Sequence, residues 1–296
     1  MLGVNCALQL RHCRQVVLAL HTRKLSIQGV HSLPLALDTA ESAMAAISAV
    51  KPNYVIHTAA LSSVDRCEAD PLLALHVNVE LAANVAAACA KLNIGLVHVS
   101  TDHLFDGGKP LADEETPLSP MNRYGQSKAE AEQEVLAAHP ESLLIRTNFY
   151  GFGPPWRPSF SDVILDGLRA GRELGLFTDV YYSPLLLQDL IHVMLELMEG
   201  GYRGIFNVVG DQRLSKYEFG LLLAATFGLD PSPIKPVQIA SMPHFVQRPK
   251  DMSLSNAKLV RTLGRAVGDV HSQLLRMRQL KISGFKAELD GLSLHG

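Results

Sequence analysis

A tyrosine and a lysine four residues apart form a pair of side chains in this sequence with the potential for acid–base chemistry. Tyr124 and Lys128 lie in the stretch SPMNRYGQSKAEAE, where a proline-containing loop gives way to a predicted helix. Four residues make about one helical turn, so both side chains leave the same face. A free phenol has a pKa near ~10, and a nearby ammonium lowers it by favouring the phenolate. The pair therefore predicts a proton donor if it faces a cleft, and an ordinary solvated pair if it does not.

Strand-like and helix-like segments alternate around this pair. Strands are expected at 15–20, 32–38, 54–60, 95–101, 142–148 and 204–210, and helices at 39–51, 71–93, 127–139 and 215–228. Continuous apolar strands alternating with helices predict an α/β protein with a doubly wound parallel sheet, covered on both faces. In such a sheet the carboxyl ends of the strands meet at one edge, and ligands bind beyond them.

Three of the predicted strands have small and polar residues at their carboxyl ends. They are Thr58, Ala59, Ala60, Ser100, Thr101, Asp102, Thr147 and Asn148, and Phe149 follows the last of them. Small residues let a flat or phosphorylated ligand approach the backbone closely, and hydroxyl groups can hydrogen-bond it. We therefore expect these side chains to converge with Tyr124 and Lys128 at one edge of the sheet.

The bulk composition argues against several classes of protein. The 296 residues are 47% apolar and carry a formal net charge of −2, without the basic excess of a nucleic-acid-binding protein. The sequence contains no uninterrupted apolar run of about 18 residues, so it predicts no membrane span. The first residues lack a signal-peptide pattern. The four cysteines show no C-x-x-C spacing and the twelve histidines are scattered. We therefore expect a cytoplasmic protein with free thiols and no metal site.

Six stretches resemble the extended short-chain dehydrogenase/reductase family, and within it the dTDP-4-dehydrorhamnose reductase branch of sugar-nucleotide reductases. In chain order they are HTAALSSVDRCEADP, HVSTDHLFDG, PLSPMNRYGQSKAEAE, IRTNFYG, SPLLLQDL and RPKDMSLSNAKL. A lone Y-x-x-x-K is weak evidence because chance produces it often. S-T-D-x-x-F-D-G followed at the right distance by Y-G-x-S-K is specific.

The resemblance implies that a 4-keto group on a nucleotide-linked deoxysugar is reduced by NADPH. Tyr124 would protonate the developing alkoxide, and Lys128 would lower the pKa of that phenol while reaching the nicotinamide ribose. Thr101 would hydrogen-bond the carbonyl oxygen. Asn78 matches a helix asparagine that the wider family uses to hold a water relay to the lysine, with an ordinary helix asparagine as the alternative.

The resemblance also implies substrate contacts from Thr101, Asp102, Asn148 and Arg248. Asp102 would touch the sugar or merely cap a turn, and both readings stay open. Arg248 would meet a nucleotide phosphate in a bidentate contact, and a surface arginine before a proline is the competing reading. A nucleotide sugar is thus the expected partner, and a homodimer is compatible with the resemblance.

The cofactor is expected along the first half of the chain. The expected contacts are Gly3, His21, Arg23, Lys24, Asp38, Thr58, Ala59, Ala60, Asn78, Ser100, Tyr124 and Lys128. The expected strand 15–20 corresponds to the second strand of the family fold, where an acid at the strand end would suit NAD. It is followed by His21, Arg23 and Lys24, which suit a 2′-phosphate or else are ordinary exposed basic residues of a loop. We therefore expect NADPH, with NADH as the alternative.

The usual G-x-x-G-x-x-G fingerprint of such a fold is incomplete in this sequence. Gly3, followed by a helical run and a strand, matches the last glycine of that fingerprint, or else is an ordinary early residue. On the first reading the first strand is absent from the sheet. A central strand with about four buried apolar side chains contributes roughly 6–12 kcal/mol. We therefore expect either a start inside a longer reading frame or weak cofactor binding.

The expected organisation is a Rossmann-like dinucleotide-binding domain and a smaller substrate lobe. The first covers 1–150 with a return over 178–210, the second covers 151–177 and 211–281, and 282–296 is expected to be a tail without a pattern.

Two alternative functions are also compatible with the sequence. One is a nucleotide-sugar epimerase, and the other is a non-catalytic regulatory subunit resembling the methionine adenosyltransferase β subunit. A dehydratase is disfavoured, because Thr101 and Asp102 are followed by His103 instead of an acid.

Overall fold

The computed structural model describes residues 1–20, 24–35, 37–242 and 246–292, together with the backbone of 294–295. The helices are α1 Leu2–Leu10, α2 Ala40–Val50, α3 Val64–Ala69, α4 Pro71–Leu75, α5 Leu81–Leu92, α6 Arg123–Ala138, α7 Phe160–Arg169, α8 Leu187–Glu199, α9 Lys216–Phe227, α10 Ala257–Leu263, α11 Val270–Ile282 and α12 Phe285–Asp290. The strands are β1 Val17–Leu20, β2 Lys24–Leu25, β3 His31–Pro34, β4 Tyr54–His57, β5 Gly95–Val99, β6 Leu143–Arg146, β7 Phe149–Tyr150, β8 Leu174–Phe177, β9 Tyr181–Tyr182, β10 Leu185–Leu186, β11 Gly204–Asn207, β12 Leu214–Ser215, β13 Ile234–Val237 and β14 Leu294–His295. A π-helical turn, His76–Glu80, joins α4 to α5, and a short 3₁₀ turn covers Ile239–Ser241.

Four parallel strands form the central sheet in the order β11-β6-β5-β4. Successive residues of β6 point to opposite faces, as they must in a strand. Leu143 and Ile145 pack in the cluster formed with α1 and α8, whereas Leu144 packs in the cluster formed with α5 and α6. Helices therefore cover both faces, which confirms the expected α/β fold with a doubly covered parallel sheet.

A second parallel pair, β1 with β3, is separate from this sheet. Among the described residues, β4 is hydrogen-bonded to β5 alone and β1 to β3 alone. In the usual strand order the first strand lies between these two edges, so the separation matches the expected lack of that strand. The first turn of α1 lies close to both edges, because a Cβ atom on Gly3 would come within 3.0 Å of the Thr58 hydroxyl and 4.0 Å of Leu18.

The helical stretch Pro71–Leu92 is long and apolar enough to cross a membrane, judged by length and composition only. Within the described protein, 44% of its apolar window is buried. Its α5 segment packs against α2, α6 and the sheet, and this packing accounts for the apolar composition. The π-helical turn in the middle of the stretch holds Asn78, which is buried.

Several expected boundaries are wrong, among them the following three. Strand β3 ends at Pro34, so Asp38 lies in the connection before α2 instead of at a strand end. Helix α6 begins four residues earlier than expected, because Asn122 caps it by accepting a hydrogen bond from the Gly125 amide. The expected tail contains helix α12, whose Leu289 is fully buried in the protein core.

The remaining short strands form pairs around a separate core. Strand β8 pairs with β13 and β9 with β12, and helices α7, α9 and α11 pack around them. Tyr150, Tyr182 and Phe219 lie at the centre of this core, with the rings of Tyr150 and Phe219 edge to face at 4.8 Å. The division into two domains at residue 150 stays a prediction.

Candidate active site

Polar side chains converge where β5 and β6 end. Ser100, Thr101 and Asp102 follow β5, and all three are buried. The Ser100 amide donates to the Ile145 carbonyl at 2.7 Å, which prolongs the contact between the two strands. Asp102 accepts a hydrogen bond from the Thr101 hydroxyl at 3.2 Å and another from the side-chain amide of Asn148, which lies just after β6. The structure therefore brings together three residues that the sequence pattern predicted as substrate contacts.

Helix α6 brings the predicted proton donor to the same place. A Cβ atom on Gly125 would lie only 2.4 Å from the carbonyl oxygen of His103, so only glycine allows this close approach. The approach sets the first turn of α6 against the loop after β5. As a result Tyr124 lies close enough to Thr101 for that side chain to act on its pKa, and it packs against the edge of the His103 ring at 5.4 Å.

Burial, and not the neighbouring lysine, dominates the acidity of the phenol. Burial raises the pKa of Tyr124 to about 12, and the side chain of Thr101 opposes that rise. Asp102 raises the pKa further and Arg157 lowers it, while Lys128 is not among the groups that act on it most. The expectation that Lys128 lowers the pKa of this phenol directly is therefore not met in this structure.

Lys128 instead directs its ammonium toward the interior. Its Nζ atom lies 3.0 Å from Nε2 of His98 and donates to the Val99 carbonyl at 2.9 Å. Burial lowers the pKa of Lys128 to about 8, and the carboxylate of Glu132 opposes that shift. Sequence reasoning missed His98, which lies thirty residues away on β5.

Asn78 links the loop after β4 to helix α6. Its side-chain oxygen accepts from the Leu61 amide at 2.7 Å, and its side-chain nitrogen donates to the Leu61 carbonyl at 3.2 Å and to Ser127 Oγ at 2.9 Å. Asn78 thus positions the residue next to Lys128. The predicted water relay from Asn78 to Lys128 stays a prediction.

The other residues that were predicted to contact the cofactor lie in three places. Thr58, Ala59 and Ala60 follow β4, and the two alanines are exposed. Lys24 is exposed in β2, and Asp38 lies 3.6 Å from the His76 ring in an exposed ion pair. His21 and Arg23 lie outside the described residues.

Several buried polar atoms at this edge make no hydrogen bond within the described part of the chain. They are His57 Nε2, His98 Nδ1, Ser100 Oγ, His103 Nδ1 and Thr147 Oγ1. Buried polar groups in proteins are nearly always hydrogen-bonded. These atoms without partners are concentrated at the carboxyl ends of β4, β5 and β6. Their position fits a bound ligand with hydrogen-bonding groups, such as a nicotinamide ribose or a keto sugar.

Two cations approach the same edge from the second half of the chain. Arg248 contacts Asp65 at 3.1 Å and lines a cavity of ≈ 680 Å³ together with Met121 and Met242. Lys216, at the start of α9, holds its ammonium 3.2 Å from the centroid of the Tyr182 ring. Burial lowers the pKa of Lys216 to about 8, Asp102 raises it and Arg248 lowers it. Lys216 was not predicted, although its place directly after a helix-capping serine was a usable signal.

Comparisons with known proteins give a consistent result. A family model described as the RmlD substrate binding domain matches residues 2–280. The dTDP-4-dehydrorhamnose reductase of Aggregatibacter actinomycetemcomitans is 30% identical over 244 residues, which are 78% of this chain and 82% of that protein. Methionine adenosyltransferase 2 subunit beta of Xenopus laevis is 29% identical over 200 residues, which are 65% of this chain and 60% of that protein.

Solved structures agree with the fold. A dTDP-4-dehydrorhamnose reductase from Clostridium acetobutylicum has a TM-score of 0.81 and 26% identity, over 95% of this chain and 96% of that one. The Bacillus anthracis dTDP-4-dehydrorhamnose reductase, solved in complex with NADP, shares the fold with a TM-score of 0.78 at 24% identity, over 84% of this chain and 89% of that one. The match to the family model covers nearly the whole chain, and this protein therefore belongs to the RmlD substrate binding domain family.

Proposed function

We propose that this protein uses NADPH to reduce a 4-keto group on a nucleotide-linked deoxysugar, in the manner of a dTDP-4-dehydrorhamnose reductase. The observation that carries the proposal is the convergence of buried Thr101 and Asp102 with Tyr124 and Asn148 at the carboxyl edge of the sheet. The reductase among the relatives supports the reaction. Basic Lys24 supports NADPH, and NADH remains the alternative cofactor.

NADPH, when bound, supplies the hydride. Thr101 hydrogen-bonds the keto oxygen of the sugar, and Tyr124 donates its proton to that oxygen as it becomes an alkoxide. Because burial raises the pKa of Tyr124 to about 12, the phenol keeps its proton at neutral pH until a strongly basic oxygen forms. Asp102, held by Asn148, accepts a hydrogen bond from a sugar hydroxyl.

The substrate phosphates bind on the side of the substrate lobe. Lys216 and Arg248 both act on the pKa of His103 beside the phenol, so their charges lie near the reacting sugar. Two cations suit the diphosphate of a nucleotide sugar. The cavity beside Arg248 then receives the nucleotide base. A cytoplasmic location fits the four free cysteines, and assembly as a homodimer stays a prediction.

The assay is NADPH oxidation with a panel of nucleotide 4-keto sugars. Tyr124→Phe should lower kcat by at least about a hundredfold, the lower scale of general acid catalysis. Tyr202→Phe is the matched control, because Tyr202 is 40% exposed and packs on Phe206, away from the site. Unchanged turnover in Tyr124→Phe would remove the phenol from its role.

A regulatory function like that of the methionine adenosyltransferase subunit is the second candidate. The dTDP-4-dehydrorhamnose reductases among these relatives are 30–32% identical to this chain and the β subunits 28–29%, which favours the reductase. A wild-type protein that binds a partner enzyme but oxidises no NADPH with any sugar of the panel would reverse that order.

A further inference from the structure

Two histidines lie side by side next to the predicted catalytic lysine. His57 ends β4, and His98 is its direct partner in the ladder to β5. Their rings stack with centroids 5.5 Å apart and planes 14° apart. Both side chains are buried, and burial lowers the pKa of His57 to about 4 and that of His98 well below 6.5. The pair therefore forms an uncharged layer under the carboxyl edge of the sheet.

His98 is a hydrogen-bond acceptor for Lys128. An ammonium has three donors and no acceptor, so the contact of 3.0 Å requires the lone pair of Nε2 to face Nζ. The ring proton of His98 then lies on Nδ1. The second bond of Nζ, to the Val99 carbonyl, leaves one donor for a ligand at the strand end.

Few other groups stabilise the charged form of this lysine. His57 and His98 face it from β4 and β5, and Glu132 acts on it from one turn further along α6. The carboxylate of Glu132 is itself paired with Arg146. Loss of an acceptor from such a buried ammonium favours the neutral amine.

We propose that His98 is a positioning residue, which holds Lys128 as an ammonium at the carboxyl end of β5 while His57 fixes the imidazole by stacking. The consequence for turnover rests on the proposed function, because it assumes that the reaction needs the charged lysine. The His98–Lys128 contact itself does not depend on that assumption. Neither histidine was among the residues predicted from the sequence.

Direct titration of Lys128 tests the contact. In protein labelled with ε-¹³C-lysine, the Lys128 signal is assigned by its loss in Lys128→Met, and its midpoint in the wild type is expected at about pH 8. His98→Gln places an amide oxygen where Nε2 lies and should keep the midpoint within roughly 0.5 pH units, whereas His98→Leu should lower it by about one unit or more. The matched control is His139→Gln, since His139 is also buried but contacts the Ile94 carbonyl. An unchanged midpoint in His98→Leu overturns the proposal.

His98→Asn covers the case in which the leucine variant does not fold. Its shorter amide reaches the place of Nδ1 and not that of Nε2, so its midpoint should fall as in His98→Leu. If the midpoint in His98→Asn equals that of the wild type, the contact does not hold the charge of Lys128 and the proposal is wrong.

The pH profile of turnover supplies the second readout. If the midpoint moves from about 8 to about 7, the charged fraction at pH 7.5 falls from about 0.76 to about 0.24, a loss of about threefold that disappears at pH 6. An equal loss at every pH would mean a merely structural role and would contradict the proposal. A wild type without turnover would count against the proposed function, while the lysine titration would still decide the role of His98.

Discussion

The buried ion pair between Glu132 and Arg146 offers a quantitative test of what holds the active-site edge together. Arg146 Nε lies 3.1 Å from each carboxylate oxygen of Glu132, and Nη2 lies 2.7 Å from Oε2. The two side chains are only 3% and 2% exposed. Arg146 ends β6 directly before Thr147 and Asn148, so the pair fixes the end of that strand.

Glu132→Gln keeps the shape of the side chain but leaves the guanidinium without a counter-charge. Breaking a buried pair on one side costs roughly 3–5 kcal/mol, because an uncompensated charge stays buried. For 296 residues the entropy of unfolding near 60 °C is roughly 0.6 kcal/mol per degree, so Tm should fall by roughly 5–8 °C. Urea denaturation followed by circular dichroism measures the free energy of unfolding directly.

An exposed pair supplies the control for this measurement. Arg169 and Asp166 are 38% and 63% exposed, so Asp166→Asn should change stability by no more than about 1 kcal/mol. The double variant Glu132→Leu with Arg146→Met removes both charges and should recover most of the loss. If Glu132→Gln costs no more than Asp166→Asn, the burial argument for this pair is refuted.

Three further changes test other parts of the structure. Gly125→Ala should destabilise the protein by about 1–3 kcal/mol in urea denaturation and lower kcat, because its Cβ meets the His103 carbonyl at 2.4 Å; Gln126→Ala is the neighbouring control. Lys216→Met should raise KM for the nucleotide sugar at least about tenfold with little effect on kcat, whereas Lys216→Arg should keep most of the affinity. If KM is the same in Lys216→Met and in the wild type, a contact between Lys216 and the phosphates is excluded. Burial raises the pKa of Asp251, but hydrogen bonds from Arg213 and Ser253 outweigh it and lower the pKa below its usual 3.8. The stabilisation from Asp251 is therefore complete above the ordinary carboxyl pKa and is lost as pH falls through the lowered one. Asp251→Asn should accordingly flatten the acid limb of the urea midpoint below the ordinary carboxyl pKa.

Local patterns in the sequence were sufficient for the alternation of the main strands and helices and for the family. The alternation of apolar strands and helices predicted the covered parallel sheet. Helix α2 lies close to its expected range of 39–51, with Thr39 as the N-cap that accepts a hydrogen bond from the Ser42 amide. The stretches around Thr101 and Tyr124 predicted the family, and the match of the family model over residues 2–280 confirms it. These features depend on neighbours within a few positions, which a single sequence displays.

Contacts between distant segments were decided by the tertiary structure alone. The spacing of Tyr124 and Lys128 placed both on one side of α6, but the ammonium found its partner in His98 on β5, and burial came to dominate the acidity of the phenol. The capping serine before Lys216 signals the start of α9, but only packing brings that lysine to the active-site edge. Helical periodicity determines which face a side chain occupies, whereas its pKa depends on the charges and the burial that packing brings to that face.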